Sequence, residues 1–154
     1  MNEFMKIAIE EALNGMNCNE GGPFGAVIVR NGEIISRAHN EVVNTNDPTA
    51  HAEVTALRKA SRILGRFDLS DCEIYSSCEP CPMCFAAIHW AKIKKLYYGS
   101  TRADAANIDF DDQYIYDVIK GTASELQVEV LQIDREECLE PFVEWKSKMD
   151  RVQY

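Results

Sequence analysis

The chain has 154 residues and a net charge of −9, with 46% hydrophobic and 27% charged residues. That length suits one domain burying about two thirds of its unfolded surface, and the composition is ordinary for a soluble globular protein. The acidic balance disfavours a phosphate-backbone partner and no apolar run is long enough to cross a bilayer, so nucleic-acid and membrane roles give way to a small-molecule substrate.

The N-terminal stretch MNEFMKIAIEEALNGM has neither the basic region nor the cleavage site of a signal peptide. It reads as an amphipathic helix over residues 3–17, with Phe4, Ile7, Ala8 and Ala12 on one face, and the chain reads as cytosolic. FGAVIV at 24–29 predicts a strand, Asn31-Gly32 a hairpin turn, and 33–38 the returning strand. In NDPTAHAEVTALRKASRILG, Asp47 suits a cap, Pro48 a first turn and Gly65 a stop, while Ala52, Ala56, Ala60 and Ile63 or Leu64 recur at helical spacing. A third strand is predicted at 73–77, a second long helix at 82–92 and a fourth strand at 95–99. Residues 111–119 read as a helix, 126–133 as a fifth strand, and Pro141 onward as a C-terminal helix. This order predicts an α/β fold: one domain, 1–154, with a five-stranded mixed sheet between helical layers.

Six cysteines in a cytosolic chain point to a metal site and buried thiols, not to a disulfide framework. Cys18, Cys72 and Cys138 are scattered and read as packed thiols. The segment SCEPCPMC holds Cys78, Cys81 and Cys84 at equal spacing. An iron–sulfur reading needs a fourth cysteine followed by proline, and Phe85-Ala86-Ala87-Ile88 follows instead. A four-cysteine knuckle needs a second close pair, which is absent. The reading that works is Cys81 and Cys84 with a histidine.

His39, His51 and His89 are the three histidines. His51 stands at the start of the first long helix and the cysteine pair at the start of the second. In an α/β sheet such helix starts gather at one edge. Cys81 and Cys84 are three apart, so on a first helical turn their sulfurs face one way, and a helix N-terminus favours thiolates. Two thiolates and one imidazole suit Zn²⁺, and three protein ligands leave the open position of a catalytic site. Glu53, two residues beyond His51, suits a proton shuttle between an activated water and the substrate. Cys78 is left as a packing residue; His39 lacks an evident partner and, with His89, reads as structural.

The pattern His51-Ala52-Glu53 … Pro80-Cys81-Pro82-Met83-Cys84 is the H-x-E…P-C-x-x-C signature of zinc deaminases, and the chain resembles the cytidine deaminase-like superfamily. GGPFGAVIV, NDPTAHAEVTA, SCEPCPMC, the run from Phe110 to Tyr116, and Pro141-Phe142…Trp145 with terminal Tyr154 look like the short zinc-dependent guanine deaminases. The resemblance implies a three-layer α/β/α sandwich and a homodimer exchanging C-terminal segments, each closing its partner's site. It implies a purine base as substrate and hydrolytic deamination at the amino-bearing carbon. It further implies that Asn40 bonds the purine edge, Phe24 packs on the ring, the Ala52 backbone lies beside it, and Trp90 and Tyr154 complete the pocket. One of Asp111 and Asp112 would assist the departing amine, with Asp112 preferred because it directly precedes the aromatic helix.

Each of these has a plainer reading. Phe24 and Trp90 suit a core, Asn40 a turn, Asp111 or Asp112 a helix cap, and Tyr154 an unordered end. Zinc with Glu53 also serves guanosine, cytidine or adenosine in tRNA, since each offers the same amidine unit, and a non-catalytic zinc protein is the reading from a different class. Glu53 argues against that last one, because a structural ion takes a fourth ligand and needs no base.

Overall fold

A computed structural model describes residues 1–154. Asn2 accepts the backbone N–H groups of Phe4 and Met5, both at 3.0 Å, and so starts helix α1 (Glu3–Asn17). Strand β1 (Gly25–Arg30) and strand β2 (Glu33–His39) form the antiparallel hairpin. Its turn works because Asn31 and Gly32 both take left-handed backbone angles, φ 51° and 79°. Then come a short helix α2 (Val42–Thr45), α3 (Ala52–Leu64), β3 (Glu73–Cys78), α4 (Pro82–Trp90) and β4 (Lys95–Ser100). Helices α5 (Arg102–Ala106) and α6 (Gln113–Lys120) follow, then a 3₁₀ turn over Glu137–Leu139 and α7 (Glu140–Ser147). No helix is long and apolar enough to cross a membrane.

The sheet has four strands in the order β2-β1-β3-β4, with β3 and β4 parallel and the other pairs antiparallel. Successive side chains of a strand face opposite ways, and β1 uses both faces. Ala26 and Ile28 join Ile74, Ala56, Ala60 and Ile88 in the core beneath α3 and α4. Val27 and Val29 join Tyr75 and Ala8 beneath α1, with Phe4 and Ile7 packed alongside. The result is a layer of α1, a mixed sheet, and a layer of α3 and α4. Gly25 permits the close approach of α1: a β-carbon there would lie 2.1 Å from the Ala8 carbonyl oxygen.

Three expectations are corrected. The sheet has four strands because the segment 126–133 pairs with no strand. Val128, Val130, Leu131 and Ile133 all stand exposed, Val130 at 77%, and an alternating segment becomes a strand only where an edge receives it. The first long helix begins at Ala52, not near Asp47. Asp47 Oδ1 instead accepts the N–H and hydroxyl of Thr49 at 2.8 and 2.7 Å, closing a local turn, and His51 takes the cap position. Cys18 and Cys138 are exposed, whereas Cys72 and Cys78 are buried. Cys18 ends α1, and Cys138 belongs to the exposed C-terminal region.

Candidate active site

Two helix starts converge. His51 caps α3 with extended backbone (φ −67°, ψ 156°), and Cys81 caps α4 likewise (φ −65°, ψ 167°), with Pro82 in the first helical position. Neither side chain caps its own helix, so both are free to face each other. His51 Nδ1 lies 3.5 Å from Cys81 Sγ and 3.6 Å from Cys84 Sγ, and the three donor atoms fall within 4.8 Å of one another. A tetrahedral zinc with Zn–S about 2.3 Å and Zn–N about 2.0 Å sets nitrogen and sulfur about 3.5 Å apart. The donor types and their separations fit such an ion.

The two thiols divide one proton. Cys84 beside it, with His51, lowers the pKa of Cys81 to about 4. Hydrogen bonding to Cys81 and burial push the Cys84 thiol well up. Cation binding would release that proton, since the ligand forms are thiolates. Contact with Cys81 raises the His51 pKa against the opposing effect of burial.

Glu53 sits in the first turn of α3 and is buried. Its Oε1 accepts the Ser76 hydroxyl at 3.3 Å, and burial raises its pKa. A cavity of about 440 Å³ opens over His51, Glu53 and Cys81, with Phe24, Phe110 and Met83 on its apolar walls and Glu79, Arg102, Asp111 and Asp112 among its polar ones. Phe24 and Phe110 meet edge to face, 5.0 Å between centroids at 89°. Cys78 also borders the cavity, but its Sγ lies 3.6 Å from the Thr101 carbonyl oxygen. Burial pushes its thiol pKa up.

The structure thus brings His51, Cys81, Cys84, Glu53, Phe24 and Asp112 together. Asp112 begins α6 without a side-chain cap bond, while Asp111 Oδ1 accepts the Gln113 N–H at 2.9 Å. Asn40 is buried outside the cavity lining, its N–H donating to the Phe24 carbonyl at 3.0 Å and its Oδ1 accepting the Val42 N–H at 3.1 Å, and Gly21 is pressed so close that a β-carbon would meet that oxygen at 2.1 Å. Ala52 is fully buried at the start of α3. Trp90 and Tyr154 lie away from this chain's cavity, 68% and 72% exposed, with their rings 6.0 Å apart. His39 does have partners: Nδ1 faces Glu11 and Nε2 faces Glu20. His89 bonds only the Phe85 carbonyl on its own helix.

Sequence reasoning missed Phe110, Met83, Glu79 and Arg102 as cavity residues. The PCxxC match itself could have pointed to Met83 and Glu79, which sit inside and beside it. Arg102 carries no local signal.

Residues 1–100 match the family described as the cytidine and deoxycytidylate deaminase zinc-binding region. The chain belongs to this deaminase family. Within it, the chain is 48% identical to the guanine deaminase of Bacillus subtilis (strain 168) over 98% of its own length and 97% of that protein's. The X-ray structure of guanine deaminase from Bacillus subtilis superposes with a TM-score of 0.94 at 47% identity, covering 100% of this chain and 99% of that one. A tRNA-specific adenosine deaminase of Agrobacterium fabrum (strain C58 / ATCC 33970) is 36% identical over 89% of this chain and 95% of its own. One deaminase scaffold therefore serves different bases, and what lines the cavity must choose among them.

Proposed function

We propose that this chain hydrolyses guanine to xanthine and ammonia, with a zinc ion held by His51, Cys81 and Cys84. The observation that carries the reading is the joint one: near end-to-end similarity to a guanine deaminase, with His51 and Cys81 of a His/Cys/Cys group and the buried Glu53 carboxylate on one cavity. A bound zinc ion supplies Lewis acidity, making water a nucleophile at neutral pH. The reaction adds water oxygen to guanine C2 and breaks the C2–amino bond.

Glu53 takes a proton from the attacking water and passes it to the ring nitrogen beside C2. Burial supports this role, because it raises the Glu53 pKa and so lets the carboxyl hold a proton more readily than an exposed carboxylate before passing it on. Phe24, against Phe110, forms the apolar wall for the purine ring, and Asn40 and the Ala52 backbone read its edge. Asp112 delivers a proton to the departing amine, so that ammonia leaves, and regains one as the C2 hydroxyl becomes the carbonyl. Burial raises its pKa against the opposing charge of Arg102, which suits a group that gives up a proton.

Residues 1–154 form a single catalytic domain that works as a homodimer with exchanged C-terminal segments, so that the partner's tail closes each site. The exposed apolar residues Leu126, Val128, Val130, Phe142 and Val143 support this, as does the outer edge of β4, which pairs with no strand of this chain. We infer action in the cytosol, where a reducing environment keeps zinc-binding thiols free. The acidic side chains Glu79, Asp111 and Asp112 at the cavity favour a neutral base over a nucleotide or tRNA.

The test is ammonia release from guanine, guanosine, cytidine and adenine by zinc-loaded protein. Guanine above the others supports the reading. Preference for another base keeps the chemistry and overturns the pocket assignment. Zinc-loaded protein silent on all four would favour a binding protein instead.

A further inference from the structure

We propose that Arg102 is a positioning residue for this site, holding the Asp112 carboxyl at the cavity wall and tying α6 to the turn that presents Cys81. The inference rests on the reading of Asp112 given above. The backbone at Arg102 is firmly set. Thr101 and Asp104 form a reciprocal cap, Asp104 accepting the Thr101 N–H at 2.8 Å and donating its own N–H to Thr101 at 3.2 Å. The Arg102 N–H donates to Glu79 Oε2 at 3.1 Å.

The side chain then spans three elements. Its guanidinium carbon stands 3.9 Å from the Tyr116 ring centroid on α6. The Tyr116 hydroxyl donates to the Pro80 carbonyl at 3.1 Å, one residue before Cys81. Arg102 Nε faces Glu79 Oε1 at 3.4 Å, and Nη1 faces Asp112 Oδ1 at 3.9 Å. Both nitrogens are buried without a hydrogen-bond partner.

Buried donors without acceptors destabilise a fold unless something compensates. At 3.9 Å the Nη1–Oδ1 pair is within ion-pair reach and short of a hydrogen bond. A small inward shift of Asp112 would satisfy Nη1 and fix the carboxyl toward the cavity. Arginine suits this place because one planar cation both stacks on Tyr116 and reaches two carboxylates; a lysine ammonium does not.

The test compares R102M, R102K, D112N and the R102M/D112N double variant, each zinc-loaded, for kcat, KM with guanine, and zinc per chain. R102M should lower kcat roughly 10- to 100-fold with KM changed less than about threefold, and zinc should stay at the wild-type level. R102K should recover only part of kcat. In D112N, removing Arg102 should cost less than about twofold more, because residues acting through one another are not additive. Losses that multiply, or zinc lost along with activity, would overturn the proposal. A crystal structure of the zinc-loaded protein tests the same contact without reference to turnover. Nη1 and Asp112 Oδ1 should lie within about 3.2 Å; Asp112 turned away from Arg102 would refute the proposal even if guanine is deaminated. Wild-type protein inactive on guanine would sink the functional reading, and the Nη1–Oδ1 distance would then decide the role of Arg102 by itself.

Discussion

The Ser76 hydroxyl donates to Glu53 Oε1 across 3.3 Å, and both side chains are buried. The bond comes from different layers: Ser76 from β3 at the centre of the sheet, Glu53 from the helix above it. It holds the carboxyl at one wall of the cavity while leaving its other oxygen unengaged by Ser76. Glu53→Gln preserves the shape and removes the proton-carrying function. That variant should keep zinc at the wild-type level and lose turnover by roughly 10²- to 10⁴-fold, the usual contribution of general acid–base catalysis. Metal analysis beside an ammonia assay decides it, and activity within a few fold of wild type would contradict the shuttle.

Cys78 tests the choice among three equally spaced cysteines. Its sulfur approaches the Thr101 carbonyl, and it stands outside the His51, Cys81, Cys84 group. Cys78→Ser should therefore leave zinc content unchanged, whereas Cys84→Ser should lose the metal. Zinc lost from the Cys78 variant would mean that the wrong pair was assigned.

His39 should make stability depend on pH. Burial alone would lower its pKa, but hydrogen bonds and charge from Glu20 and Glu11 outweigh that and hold it above the ordinary 6.5. The groups facing it are Glu11 from α1 and Glu20 from the following loop, with Arg37 of β2 paired to Glu11 at 3.1 Å. A raised folded pKa means that the charged imidazole stabilises the fold fully below about pH 6.5. This contribution is lost as pH rises through the folded value. The difference in melting temperature between wild type and His39→Gln should thus shrink on going from mildly acidic to alkaline buffer. A difference that stays constant or grows would show that the imidazole is not held charged there.

Tyr154 lies against Trp90 and Phe67 of its own chain, at 6.0 and 6.3 Å between ring centroids. The cavity over His51 and Glu53 is lined without it. If a partner's tail closes the site, deleting residues 148–154 should abolish most turnover and leave zinc bound. Normal turnover by the truncated protein would remove tail exchange from the account.

The candidate metal group was legible in the sequence because each of its two halves is local, although their meeting is not. Cys81 and Cys84 share a first helical turn, and Glu53 stands two residues beyond His51. Each pair is placed by helix periodicity once the helix start is known. Proline at position 82 marks one start directly. The other start falls later than its spacing suggests, with the cap at His51 and not at Asp47. Asp47 bonds Thr49 instead of capping a helix, a choice between two local hydrogen bonds that spacing does not reveal. The hairpin at Asn31-Gly32 and the two-faced strand β1 follow equally from local backbone preference and alternation.

Tertiary structure decided the rest. Residues 126–133 alternate as a strand does, yet no edge in this chain meets them, so pattern alone overcounted the sheet. Arg102 carries no signal of its own and gains meaning only where Glu79, Asp112 and Tyr116 surround it. His39 found two carboxylates from separate segments for the same reason. Side-chain chemistry and short-range periodicity are written residue by residue. Long-range pairing depends on which surfaces the sheet brings into contact, and only the folded chain establishes that.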